Sequence, residues 1–351
     1  MNLHSSKLAS LGFDAFFQQQ INTSDSPAHL FPVRVMNVQR SGLHLTGENI
    51  DRYYELLPGD FQSGHTVGDW VLLDTSSQRI VRRLERKSLF KRRAPGTGRR
   101  EQLIAANVDT LFVVSSCNQD FNEARLERYL AIARESQVMA VIVLTKSDLT
   151  EDPQLYVRRA AKLMPGIQVE AINSLDEQSL ACLDPWLGAG QTIALLGSSG
   201  VGKSTITNTL LGAGRIQTRD IREDDAKGRH TTTSRSMHQL PGGAWLMDTP
   251  GMRELQLADV KAGLDDVFAE ISELAERCRF SDCQHEKEPG CAVQKAITSG
   301  KIDQARLNRW RKLVREEAFN STSIAERRAS DRALGRFYKS VINDKKAQKD
   351  R

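Results

Sequence analysis

The spacing of apolar positions changes character along the chain and divides it into four stretches. Residues 1–30 are polar and glutamine-rich with no sustained period, which predicts a loosely ordered N-terminal extension. From Phe31 to Phe90 short β-like runs follow one another: PVRVMNV, GLHLTG, GDWVLLD and RIVRRL, punctuated by Gly, Pro, Asp and Ser. Several short strands in so short a stretch predict a small β-barrel over 31–92, of which the OB type is the commonest that also binds oligonucleotides. KRRAPGTGRR (91–100) then reads as a basic linker. Over 101–262 strands alternate with helices. Leu111–Val114, Val138–Leu144, Thr192–Leu196 and Ala244–Met247 are apolar runs of strand length, and Asn122–Gln137 has helical spacing at Leu126, Tyr129, Leu130 and Ala133. That alternation predicts an α/β domain with a parallel sheet. Residues 263–351 form the last stretch, helical and basic from Ile302 onward.

The fold class expected is therefore multi-domain α/β: an OB-like β-barrel, a P-loop domain and a mostly helical C-terminal domain. A length of 351 residues suits two or three domains. No run approaches the roughly 18 apolar residues that span a membrane. MNLHSSKLASLGF lacks the apolar stretch of a signal peptide. A cytoplasmic protein with no membrane partner is expected, and as a monomer.

Charge adds a partner class. The net +5 conceals +9 over 79–100 and +8 over 305–351, against −12 for the remainder. A basic fringe on an acidic body points to an extended polyanion, nucleic acid foremost. Solvated basic faces are the plainer explanation of each segment taken alone.

Chemistry concentrates at 191–205, QTIALLGSSGVGKST. Gly197, Ser198, Ser199, Gly200, Val201, Gly202, Lys203 and Ser204 satisfy G-x-x-x-x-G-K-[ST], directly after the apolar run Thr192–Leu196. Backbone N–H groups at a helix N-terminus wrap a phosphate chain there, and the glycines permit the tight turn. Lys203 would reach the β- and γ-phosphates, and the Ser204 hydroxyl, with Thr205 beside it, would ligate Mg²⁺.

Three shorter motifs support a nucleotide site. Thr145, Lys146, Ser147 and Asp148 follow a buried strand, where α/β sheets place ligands. The tetrad resembles the N-K-x-D element of GTPases, whose Asp accepts two hydrogen bonds from guanine while the Lys stem packs on the base. Thr145 departs from its asparagine, which leaves open the bonds that the amide would make, including any bracing of the P-loop. Ala171-Ile172-Asn173-Ser174 fits a second base-contacting loop. After the P-loop, GRHTTT at 228–233 offers Thr231 or Thr232 to Mg²⁺, with Thr232 preferred. Asp248-Thr249-Pro250-Gly251 is a D-x-x-G element in which Asp248 would hold Mg²⁺ through water and the Gly251 N–H would sense the γ-phosphate.

The order of these motifs is unusual, because the base-recognition element precedes the P-loop. That is a circular permutation, tolerated where domain termini lie close together. Over about residues 31–300 the pattern resembles the circularly permuted, ribosome small-subunit-dependent GTPase family, bacterial factors of late small-subunit assembly. The resemblance implies a GTP hydrolase stimulated by the small ribosomal subunit, with that subunit, its rRNA and GTP/GDP as partners. With D-x-x-G last, the segment after Gly251 leads straight into the C-terminal domain, so nucleotide state is expected to reposition whatever lies beyond residue 255. Met252 stands where Ras-type enzymes carry a water-orienting glutamine, and His230 is the nearby side chain suited to hold a water. The catalytic set expected is His230, Lys203 and Thr232.

Cys278, Cys283, His285 and Cys291 offer three thiolates and an imidazole within fourteen residues, the donor set of a closed structural Zn²⁺ site, one per chain. Two other classes accommodate the P-loop: an ATP-dependent small-molecule kinase, and a non-hydrolysing RNA-binding module with a structural nucleotide. Asp148 argues against the first, and turnover separates the second.

Overall fold

The computed structural model describes residues 6–21, 29–39, 41–56, 64–93, 101–212, 235–248, 252, 255 and 259–321. Two single-turn helices, α1 (Ser6–Ser10) and α2 (Ala15–Gln18), open it, the second capped by Asp14, which accepts the Phe16 N–H. Leu8, Leu11, Phe13 and Phe17 enter the main core. A loosely ordered extension is thus the wrong expectation over 6–21. Four apolar residues scattered among polar ones show no period, yet the two short helices gather them. Phe13 and Phe17 meet the Trp70 ring, with centroids at 4.9 and 5.8 Å.

Five strands follow: β1 (Leu30–Val38), β2 (Gly42–Gly47), β3 (Asp51–Glu55), β4 (Trp70–Asp74) and β5 (Arg79–Arg83). They pair antiparallel in the order β3-β2-β1-β4-β5. Val33, Val35, Leu43, Leu45, Tyr54, Val71 and Leu73 fill the space they enclose. The Tyr54 hydroxyl of β3 accepts the Ile80 N–H of β5 at 3.5 Å, which draws the two outer strands toward each other.

The start of the basic stretch expected as a linker, Lys91 to Arg93, is instead strand in a hairpin. β6 (Leu89–Arg93) pairs with β7 (Glu101–Ala106), and residues 94–100 lie outside the described residues. Charge hid the strand. Phe90, Ile104 and Ala105 enter the main core, while the exposed Lys91 pairs with Glu101 at 2.8 Å.

The remaining strands are β8 (Thr110–Ser116), β9 (Met139–Thr145), β10 (Gln168–Ala171), β11 (Thr192–Gly197), β12 (Arg235–Gln239) and β13 (Trp245–Asp248). Their order is β10-β9-β8-β11-β13-β12, parallel except at β12. Strands buried on both faces read as unbroken apolar runs, as a helix-covered parallel sheet requires. Helix α3 (Glu123–Glu135), capped by Asn122, covers one face through Leu126 and Leu130. Helix α4 (Pro153–Ala161) joins β9 to β10, and α5 (Lys203–Leu211) covers the other face through Ile206.

β12 also pairs with β1, at Asn37↔Ser236 and Val38↔Arg235, so the two strand systems form one eleven-stranded sheet. Arg34 reinforces the join. Fully buried on β1, it donates to Leu11 O, to Asn107 O at 3.3 Å and to Thr192 Oγ1 at 2.7 Å, and burial pushes its pKa down to about 10.

Four helices complete the described residues: α6 (Lys261–Val267), α7 (Ala269–Ala275), α8 (Ala292–Thr298) and α9 (Gln304–Ser321). Gly263 lets α6 lie against α3, since a Cβ there would stand 2.1 Å from Ala131 O. α9 is not a solvated basic face. Its Arg306, Leu307 and Leu313 are buried, and Arg306 binds Glu127 of α3 at 2.7 Å and Glu270 of α7 at 2.8 Å. Among the described residues no helix is long and apolar enough to cross a membrane.

Candidate functional site

The P-loop leaves the C-terminal end of β11, a strand with parallel neighbours on both sides. Gly197 is sterically required, because a Cβ would sit 2.3 Å from Val114 O on the next strand. Gly202 has φ +95° and caps α5, a conformation an L side chain rarely adopts. Ser198 to Gly202 thus turn sharply and present the first N–H groups of α5, which have no partner inside the helix. Lys203 bends back over the loop, its Nζ donating to Gly197 O at 2.8 Å and to Ser198 O. Ser204 and Thr205 follow in the first turn, partly exposed.

Thr145 ends β9, two strands from β11, and is fully buried. Its Oγ1 lies 2.6 Å from Val201 O and 3.1 Å from Ser115 O. The hydroxyl therefore braces the P-loop, the contact that the loss of asparagine left open. Lys146 takes a left-handed conformation, φ +58°, and Asp148 stands exposed in the single turn Ser147–Leu149. The Ala171–Ser174 segment lies alongside, with Ser147 N–H donating to Ile172 O at 3.2 Å. Thr209 of α5 donates to Ser174 O at 2.8 Å, a tie that nothing in the motifs suggested.

Asp248 closes β13, opposite Ser236 of β12. Met252 is buried in the main core. Thr231, Thr232, His230, Thr249, Pro250 and Gly251 lie outside the described residues.

A second cluster forms between α7 and α8. The donor atoms of Cys278, Cys283, His285 and Cys291 all lie within 4.8 Å of one another. Cys278 Sγ is 3.9 Å from Cys291 Sγ, and His285 Nδ1 is 3.5 Å from each of those sulfurs. A tetrahedron with metal–sulfur bonds of ~2.3 Å and a metal–nitrogen bond of ~2.0 Å has edges of about this size. Burial pushes the His285 imidazole below its ordinary pKa, helped by Arg311, so the neutral, ligating form prevails. The surroundings are equally specific: Gln294 N–H donates to Cys291 Sγ at 3.4 Å, Arg311 and Gln294 donate to His285 O, and Trp310 packs on the ring at 5.6 Å. The four residues fit a resident metal ion. The side chains that hold them, Gln294 of α8 and Trp310 and Arg311 of α9, are not revealed by the Cys/His spacing.

A P-loop on the central strand, with the K-x-D loop earlier in sequence but beside it in space, defines a circularly permuted P-loop GTPase. A model of the RsgA GTPase family matches residues 83–258. The small ribosomal subunit biogenesis GTPase RsgA 2 of Vibrio vulnificus (strain CMCP6) is 50% identical over 342 residues, covering 97% of this chain and 97% of the relative. RsgA of Mesorhizobium japonicum is 50% identical over 338 residues, 95% of this chain and 96% of the relative. The chain belongs to the RsgA GTPase family. Among solved structures, YjeQ from Thermotoga maritima has a TM-score of 0.59 at 24% identity, covering 81% of this chain and 97% of that one. YloQ, described as a circularly permuted GTPase, has a TM-score of 0.57 at 22% identity, covering 84% and 97%. Both likenesses concern the fold.

Proposed function

We propose that this GTPase hydrolyses GTP in the late assembly of the small ribosomal subunit, with the subunit and its rRNA as partner and stimulus. One observation carries the nucleotide part: the P-loop and the Thr145–Asp148 loop touch, at 2.6 Å, on one edge of one parallel sheet. Phosphates would lie on Gly197–Thr205 with Lys203 on the β- and γ-groups, and guanine on Asp148 with the Lys146 stem over it. An adenine would leave the Asp148 carboxylate without its two donors, which favours GTP over ATP. Ser204, Asp248 and Thr232, with Thr231 as its alternative, would hold Mg²⁺, which neutralises phosphate charge. Gly251 and His230 complete the set of residues proposed.

The cysteine cluster is read as a structural Zn²⁺ site, since all four positions of a tetrahedron come from protein. The domains inferred are an extension to 30, an OB-like barrel over 31–92, the GTPase over 101–262 and a zinc-binding unit from 263. The chain is proposed to act as a cytoplasmic monomer.

Multiple-turnover phosphate release is the test. GTP turnover should be slow alone and should rise on adding small subunits, and a large excess of ATP should not inhibit it. Equal competition by ATP would overturn the base assignment. Turnover indifferent to small subunits, in protein that hydrolyses GTP, would overturn the partner.

A further inference from the structure

We infer that Ser236 and His238 of β12 are positioning residues for the Asp248 carboxylate, and through it for the Mg²⁺ of the nucleotide site. This rests on the nucleotide reading above and adds to it two side chains that no motif marks. β12 runs antiparallel to β13, with Ser236 opposite Asp248 and His238 opposite Leu246. Directly opposed residues share a face, with Cβ atoms about 4.5–5.5 Å apart, a gap that one hydroxyl–carboxylate hydrogen bond spans. Leu246 packs with Val201 and Ile206 on the α5 side of the sheet. Residues two apart on a strand point the same way. Ser236, His238 and Asp248 therefore stand on that side, the side of the helix whose first turn carries Ser204.

His238 Nε2 lies 3.0 Å from Ser236 Oγ. A hydroxyl brings one hydrogen and can accept another, whereas a carboxylate only accepts. The Ser236 hydrogen therefore goes to Asp248, and the imidazole Nε2–H fills the accepting side of the hydroxyl oxygen. Burial holds His238 below its ordinary pKa against the pull of Asp248, so the ring is neutral and has one N–H to place. The strand that carries the pair is held as well. Ser236 also pairs with Asn37 of β1, so β12 is hydrogen-bonded on both edges. Mg²⁺ takes hard oxygen donors in near-octahedral geometry and tolerates little misplacement. The Asp248 carboxylate and the Ser204 hydroxyl are donors of that kind. With one Asp248 oxygen tied to Ser236, the carboxylate is fixed in rotation, and its other oxygen is left for the ion or its water.

Mn²⁺ takes the same oxygen ligands and reads the site directly. It is titrated into the full chain saturated with GDP, and the free ion is counted by its EPR signal. Ser236→Ala should bind Mn²⁺ about tenfold more weakly than the parent, the usual cost of losing a group that holds a metal ligand. Ser236→Thr keeps the hydroxyl and should bind within about threefold. His238→Leu should weaken binding in the same direction, and His238→Gln, which keeps an N–H donor, should recover most of the loss. GDP affinity in EDTA should stay within about twofold of the parent in every variant, which a general loosening of the sheet would not allow.

A folded alanine variant that binds Mn²⁺ within twofold of the parent would overturn the inference. So would alanine and threonine variants that weaken equally. A loss of GDP affinity in EDTA as large as the loss for the ion would also overturn it, by making the two side chains packing elements. If Ser236→Ala does not fold, His238→Leu against His238→Gln gives the same comparison. Parent protein that binds no guanine nucleotide would instead remove the nucleotide reading on which this rests.

Discussion

At the scale of single residues, the Thr145 hydroxyl and the Met252 side chain decide how this site differs from a Ras-type one. Met252 is buried in the main core. A thioether so placed cannot orient a water, and no glutamine stands in its position. The side chain that holds the hydrolytic water must come from elsewhere, and His230 is the proposal, with two ring nitrogens and a suitable ordinary pKa. His230→Ala should lower subunit-stimulated turnover by about 10²-fold, ~2.7 kcal/mol of barrier, with GTP affinity nearly unchanged. Stimulated turnover within twofold of the parent, with subunit binding intact, would remove His230 from the mechanism. The P-loop was legible because a glycine pattern records backbone geometry directly, and Gly197 and Gly202 sit where a Cβ is excluded or strained. The bracing by Thr145 was not legible, because it depends on a contact fifty-six positions apart in the chain.

Among elements, legibility followed burial. β8, β9 and β11 are covered on both faces, so their apolar runs mark them plainly. The hairpin β6–β7 did not announce itself, because β6 ends in Lys91, Arg92 and Arg93 and looked like a linker. The two N-terminal helices were missed for another reason: four core residues in two single turns make no period. The cysteine cluster is the opposite case, legible from composition alone. Little regular structure supports the loop between α7 and α8, so a metal held by the four residues would add much of its order. One zinc per chain is expected on elemental analysis of protein purified without chelator. Removing it should open residues 277–290 to protease while GDP affinity stays within about twofold, because the P-loop follows β11 whereas the cluster lies in the loop between α7 and α8. Protein free of metal yet protease-resistant there would refute the assignment.

On the scale of the whole molecule, the C-terminal unit is fixed to the GTPase body by a buried ionic hub. Arg306 of α9 binds Glu127 of α3 and Glu270 of α7, donates to Leu163 O and Val267 O, and stacks on Phe268 at 4.2 Å. Burial pushes the Glu127 carboxyl up while Arg309 and Arg306 pull it down. Removing one partner of such a pair strands the other, at about 3–5 kcal/mol. Arg309 still reaches Glu127 at 2.9 Å, so Arg306→Ala should cost near the lower end, ~3 kcal/mol, in denaturant unfolding. A loss below about 1 kcal/mol would mean that packing alone holds the unit. The same hub bears on what nucleotide state can move. Gly263 fits α6 tightly to α3, so a repositioning of what lies beyond residue 255 has to break or carry with it the anchor that begins at Lys261. It also changes how the basic tail is tested. Deleting 305–351 would remove Arg306, Leu307 and Leu313 from the core and confuse binding with unfolding. Residues 322–351 carry nine Lys/Arg against four acids and lie beyond the last described helix. Affinity for small subunits should fall with salt at a log–log slope of roughly −0.7 to −0.9 per neutralised phosphate. Deleting 322–351 should flatten that slope by about 1.4–2.7, two or three lost contacts, with the unfolding midpoint and GDP affinity unchanged. A slope identical to the parent's would make the tail a solvated appendage and leave the polyanion contact to the basic residues of 79–93.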